Sequence, residues 1–363
     1  MSVSYAIFFL LSGITTVFVG WRIRQRQQRQ PLEPVYLDEK TPFHDNIEPL
    51  PNFDYQNEEP LQLRPFKPIY HITMALQSAT QSTLIHLDKN YLTRILARQN
   101  LLQTQTSIVL GSLPESLSPL QELYIYLLKT YLPNRFPSIF SLSPDNTYFH
   151  NKITHRSFPL IPIPTDRKEL LKTIGETVEE DMFLLREVGG KHVCVAFICC
   201  HPSGFDPSTK LGKTLKEIHG PVPGYERIEV GMERFFKRLE GGKRVKRVNW
   251  GIQTHSSLYS PSTNHIHPSD ESYTESTPEE IDINSCNLRV ELQSLMRLPD
   301  SKALLFSFKT FLYPLTELKR ISETEAKELA DAIDGLSEGN VPLMKVYKGG
   351  VKWGKVVCEY LRG

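Results

Sequence analysis

The chain has 363 residues, 40% of them apolar, which is enough for a buried core in one large domain or two small ones. Its 42 basic and 41 acidic residues leave a net charge of +1, so no global field draws in nucleic acid or other polyanions. Cys194, Cys199, Cys200, Cys286 and Cys358 are odd in number and lack a Cys-x-x-Cys pair; they signal neither a disulfide framework nor a zinc site, and reduced thiols are the simplest account.

Taken in order, Tyr5–Trp21 is apolar and uncharged. As a helix it would rise about 26 Å at ~1.5 Å per residue, slightly short of a ~30 Å hydrocarbon core. Tyr5 and Trp21 sit at its ends, and Arg22, Arg24, Arg26 and Arg29 follow at once. That pattern predicts one transmembrane helix with its C-terminal flank in the cytoplasm, whereas a signal peptide would put positive charge ahead of the apolar run. The expected organisation is an anchor and basic flank at 1–29, a Pro-rich linker and extended lead-in at 30–68, one domain at 69–340, and a tail at 341–363. Tyr70–Leu76 reads as a short strand. Helices follow over Asp88–Leu102 and Leu120–Leu132, the second stopping near Pro133.

Thr165 or Asp166 can cap a helix over Arg167–Glu187, with Leu170, Ile174, Val178, Met182 and Leu185 near helical spacing. Glu179, Glu180 and Asp181 on its far half are either a solvated face or contributors to a site. His192–Cys200 reads as a buried strand. Cys199 and Cys200 at its end are small hydrophobes or, alternatively, thiolate ligands.

Leu211, Leu215 and Ile218 fall at i, i+4 and i+7 on one helical face, which His219 shares before Gly220-Pro221 stops the helix. His219 there is a satisfied buried histidine or an axial metal ligand. A helix over Tyr225–Leu239 follows. In the strand Val245–Thr254, Arg247, Asn249 and Gln253 share one face, while Val248, Trp250 and Ile252 share the other. In Arg289–Leu298, Arg289, Glu291, Gln293 and Arg297 share a face, opposite Val290, Leu292, Met296 and Leu298. Each strand is two-sided: one wet face of a sheet, or the polar wall of a pocket.

The Ser/Thr/Pro-rich stretch 255–282 reads as an exposed loop, with His265 and His267 facing solvent. Ala303–Pro314 is a further strand, Ser322-Glu-Thr-Glu325 begins a capped helix, and the basic tail pairs a last strand or touches anionic lipid. Strands at 192–200, 245–254, 287–298 and 303–313 predict an α+β domain, an antiparallel sheet with flanking helices.

The runs VEEDMFLLRE, IHGPVPGY, RFFKRL, RVNW, RVELQSLMRLP and LFSFKTFLYPL, in this order across roughly residues 60–320, resemble the haem-dependent oxidative N-demethylase family, formerly a domain of unknown function. The resemblance implies a PAS-like haem domain that oxidises small methylated amines, and it makes haem iron the expected partner of His219. Arg247, Arg289 and Arg297 then suit the haem propionates, and Glu291 and Asn249 suit a bound ammonium. Family members work with flavin and iron–sulfur components. This chain has no Gly-rich dinucleotide fingerprint and no cysteine cluster, so those cofactors are expected on a separate redox partner. The alternative is a non-catalytic, membrane-tethered PAS-like module that binds haem or another ligand.

Overall fold

The computed structural model describes residues 47–266 and 281–363. A seven-stranded antiparallel sheet organises them, in the order β1-β8-β9-β10-β6-β7-β2. Its strands are β1 (Gln77–Ala79), β2 (Leu110–Ser112), β6 (Asp181–Val188), β7 (Lys191–Ile198), β8 (Arg244–Gln253), β9 (Asn287–Arg297) and β10 (Leu304–Pro314). A separate three-stranded sheet joins β3 (Phe140–Leu142), β4 (Tyr148–Asn151) and β5 (Arg156–Pro159). The expected α+β architecture with an antiparallel sheet and helices is what forms.

The transmembrane part of the expected fold is corrected. Among the described residues no helix is long and apolar enough to cross a membrane. The helix Tyr91–Thr104, for example, has 14 residues. It rises only about 21 Å, and it buries Arg98 inside the protein. Tyr5–Trp21 lies outside the described residues.

Three apolar clusters divide the space around the large sheet. One joins Met182, Leu184 and Ile198 to the helices Tyr91–Thr104, Leu117–Ile125 and Arg167–Gly175. A second joins Val290, Phe311 and Tyr313 to the helices Leu315–Ile321, Glu323–Asp334 and Gly350–Arg362. The third lies on the other face of β9 and β10, where Leu295 and Phe308 meet Met232 and Phe236 of the helix Glu226–Arg238.

Several element boundaries differ from expectation for identifiable reasons. The helix beginning at Arg167 is capped by Asp166, which accepts from the Lys168 N–H at 3.0 Å, but it ends at Gly175. A Cβ at Gly175 would lie 2.9 Å from Ile198, so the helix crosses the sheet with no room for a side chain. The chain then turns into β6, where Met182–Leu185 are buried on both faces. A strand with two covered faces has no polar interruption to distinguish it from a helix. The expected strand at 70–76 is irregular, and pairing is confined to Gln77–Ala79 against Ala79's partner Arg244 and its neighbours. The helix Leu117–Ile125 continues as a π-helical segment over Tyr126–Tyr131 and a last turn over Leu132–Arg135, so Pro133 sits inside that turn rather than ending it. The tail forms neither a strand nor a free basic segment. Its helix Gly350–Arg362 buries Trp353, Val357 and Leu361 in the second cluster.

Candidate functional site

A cavity of about 330 Å³ opens between the sheet and the helix Glu226–Arg238. That volume is in the range of small-molecule and cofactor pockets, ~300–1,000 Å³. Strand register builds its wall. Asn249 pairs with Glu291, Arg247 with Gln293 and Gly251 with Arg289 across β8 and β9. Phe308 stands opposite Gln293, and Phe306 opposite Leu295, across β9 and β10. Phe183 pairs with Phe306 on β6. Alternation along each strand therefore carries one polar end, at Arg247, Asn249, Arg289 and Glu291, into one apolar end at Phe183, Phe306 and Phe308. The two-sided strands form a pocket wall, and not a wet sheet face.

His219 lies on the facing side of the cavity. Thr214 and Glu217 form a reciprocal capping box that starts a one-turn helix, Leu215–Ile218, and His219 is its C-cap. Leu211 precedes that turn, so the expected longer helix is shortened. The Leu215 carbonyl accepts from the His219 backbone N–H at 3.0 Å and lies 2.8 Å from Nδ1. Donation from Nδ1 to that carbonyl puts the remaining lone pair on Nε2, which has no protein partner among the described residues. The ring stacks on Tyr225 with centroids 4.7 Å apart and planes 8° from parallel. Burial lowers the His219 pKa, so the imidazole is held neutral. The turn that follows requires Gly224, whose φ is +75° and where a Cβ would strike Val341.

The polar end holds Arg289, Arg247, Lys348 and the carboxylate of Glu291, and Lys210 and Lys246 also line the cavity. Arg289 donates to the His201 carbonyl at 2.6 Å and to the Leu258 carbonyl and Gln253 at 3.2 Å, and its Nε is 3.7 Å from Glu291. Glu291 also accepts from Gln293 at 3.0 Å. Arg247 Nε is sealed from solvent with no hydrogen-bond partner. Burial lowers the Arg247 pKa, against the pull of Tyr70 and Glu291. Lys348 is only 6% exposed and donates to the Trp250 carbonyl and, at 3.4 Å, to Asn249 Oδ1. Burial brings its pKa down to about 8, Glu291 opposing and Arg247 assisting.

The structure thus brings His219, Arg247, Asn249, Arg289 and Glu291 to one cavity. Trp250 borders it too, although its ring packs edge-on against Phe66 in the second apolar cluster. Arg297 is a correction: it donates to the carbonyls of Leu239, Lys302 and Phe236, is not part of the cavity lining, and fastens the end of the helix Glu226–Arg238. Its side chain shares the face of β9, but it stands beyond Leu295, where that helix covers the sheet. Lys348 and His265 were not legible as site residues. Lys348 sits in a run of regularly spaced lysines, and only Gly349-Gly350 behind it hinted at a turn. His265 lines the cavity and stacks on Tyr347 at 4.4 Å instead of facing solvent; His267 lies outside the described residues.

The three acids Glu179, Glu180 and Asp181 are buried, not solvated. Asp181 accepts from Arg98 at 2.6 Å and from the backbone N–H groups of Cys200 and His201 at 2.8 and 2.7 Å. Burial raises the thiol pKa of Cys199 and pushes that of Cys200 up to about 12, so both are protonated and neither offers a thiolate.

An antiparallel sheet closing a ligand-sized cavity, lined by a neutral histidine and several cations, makes this an α+β fold with room for a small molecule or cofactor. The chain belongs to the family described as haem-dependent oxidative N-demethylase, alpha subunit-like, whose model matches residues 75–358. That match begins just before β1 and runs into the last helix, so it takes in the cavity lining from Leu76 to Lys348, while Tyr70, Ile72, Thr73 and Met74 line the cavity from outside it.

A haem needs a nitrogen ligand, an apolar slot and positive charge for its carboxylates. His219 has an uncommitted Nε2, the phenylalanines supply apolar wall, and the unpartnered Arg247 Nε supplies an unmet donor. The residues fit the group. Among the described residues no cluster of three or more His, Cys, Asp or Glu could hold a bare metal ion.

Proposed function

We propose that this chain carries haem on His219 Nε2 and serves the oxidative demethylation of a small methylated amine. The observation that carries the reading is the His219 ring, kept neutral, fixed in one tautomer and turned to an apolar cavity. The chemistry supplied by a bound haem is electron withdrawal from the substrate's N-methyl group. Overall, that group loses two electrons and two protons and takes up one water, giving formaldehyde and the demethylated amine.

The chain's own residues bind and orient. A methylated amine is a cation at neutral pH, and Glu291 is the carboxylate in the cavity wall. Arg289 and Gln293 hold that carboxylate from behind, which fixes its direction. Asn249 stands directly across the strand pair from Glu291 and presents a second polar group to the same ligand. Phe183, Phe306 and Phe308 keep water from the apolar end. Arg247 and Arg289 place positive charge where haem carboxylates need it. Electrons leave to a separate protein carrying flavin and iron–sulfur centres; the family's description as an alpha subunit supports a further subunit, and says nothing of its cofactors.

The test is the Soret band of the purified, haem-loaded chain beside His219→Ala. Loss or a large shift is expected, and an unchanged band removes His219 from the ligand role. Formaldehyde release on adding dimethylamine separates an enzyme from a module that only binds its ligand.

A further inference from the structure

The cavity wall carries more positive charge than its own acids answer. Arg289 and Glu291 are 3.7 Å apart and offset each other. Of the lining cations that remain, Lys210, Lys246, Arg247 and Lys348, the last two stand beside Asn249. Neither has a carboxylate within salt-bridge distance among the described residues, and the Arg247 Nε is buried without any acceptor. Lys348 spends its hydrogen bonds on two neutral oxygens, Trp250 O and Asn249 Oδ1. Burying a cation without a counter-charge is costly, and proteins keep such groups where a ligand completes the pair.

Geometry puts the two cations in the lining of one cavity, near enough for Arg247 to act on the Lys348 charge. Arg247 and Asn249 are alternate residues on the same face of β8, so their side chains stand about 6.6 Å apart along the strand. Lys348 Nζ lies 3.4 Å from the Asn249 amide oxygen. A carboxylate, planar with two oxygens, suits an ammonium and a guanidinium that line the same cavity, and it matches the fork of the latter.

We infer that Arg247 and Lys348 form a carboxylate clamp inside the cavity. The clamp takes either a haem propionate or the carboxylate of the substrate itself, which would then be an N-methylated amino acid, its ammonium towards Glu291 and its carboxylate towards Lys348. Only this assignment of the clamp's occupant rests on the haem-demethylase reading; the clamp itself rests on the unmet cations.

The test is calorimetric titration of the full chain, freed of haem, with acetate and with acetamide, its neutral counterpart. Saturable binding of acetate, at least tenfold tighter than acetamide, is expected, weakened about tenfold or more in Arg247→Met and Lys348→Met and largely kept in Lys348→Arg. Equal binding of acetate and acetamide by the wild-type chain overturns the clamp, whatever the variants do. Repeating the titration after loading with hemin identifies the source. Exclusion of acetate assigns the clamp to a propionate, and retained binding of acetate and N-methylglycine assigns it to the substrate. A chain that binds acetate but gives no Soret band keeps the clamp and loses the haem reading, so the two fail separately.

Discussion

Replacing Lys309 by methionine tests whether the buried charges behind the cavity hold the sheet together. Lys309 is 1% exposed, on the face of β10 opposite Phe308. Its ammonium lies 2.8 Å from Asp88, 2.9 Å from Glu179 and 2.7 Å from the His86 carbonyl. Arg94 reaches Glu179 at 3.5 Å, but Glu179 Oε2 and Glu180 Oε2 have no hydrogen-bond partner. Burial opposes the Lys309 charge, and the carboxylates of Glu179 and Asp88 outweigh it, so its pKa is raised. Removing one partner from such a set costs about 3–5 kcal/mol, because the remaining charges stay buried and unpaired. Methionine keeps much of the packing near Phe311, so a net loss of about 2–4 kcal/mol is expected. Urea unfolding followed by circular dichroism measures it. The deficit should shrink at pH 5, below the raised pKa of Glu180, where that carboxyl is protonated and loses no counter-charge. A loss below about 1 kcal/mol at pH 7, or one independent of pH, would refute the reasoning.

Other outcomes follow from the same contacts. Burial raises the Glu180 pKa from 4.5 to about 7 despite the pull of Lys309. The folded state therefore binds this proton more tightly than the unfolded state. Its contribution is fully present below 4.5 and is lost as pH rises through 7. Glu180→Gln should flatten that dependence and unfold at higher urea than the wild type at pH 8, by about 1–3 kcal/mol; an unchanged slope between pH 5 and pH 8 would count against it. Arg297→Met should cost about 2–4 kcal/mol by stranding the carbonyls of Leu239, Phe236 and Lys302. It should leave the Soret band of the haem-loaded chain in place, since Arg297 does not reach the cavity. A shifted band there would return Arg297 to the cofactor.

The alternation of polar and apolar residues in β8 and β9 was enough to put Arg247 with Asn249, and Arg289 with Glu291, because side chains on a strand can only take one face or the other. The position of His219 beside a Gly-Pro turn was likewise local, since Gly220-Pro221 cannot continue the helix that Leu215 begins. What the sequence could not say is which strand faces which. Pairing Asn249 with Glu291 is a matter of register between segments separated by a long loop, and it alone turns two short patterns into one wall. The same limit hid the burial of Glu179–Asp181: three adjacent acids look solvated until Lys309, Arg94 and Arg98 arrive from distant segments to neutralise them. Lys348 shows it most plainly. Its neighbours in the chain name no partner for its charge, which acquires a role only because the last helices fold back and deliver it to Asn249. Local pattern determined the faces of the strands and capped helix starts such as those at Asp166 and Ser322. Tertiary packing decided which charges meet, because electrostatic partners are chosen by distance in space, and sequence separation carries no information about that distance.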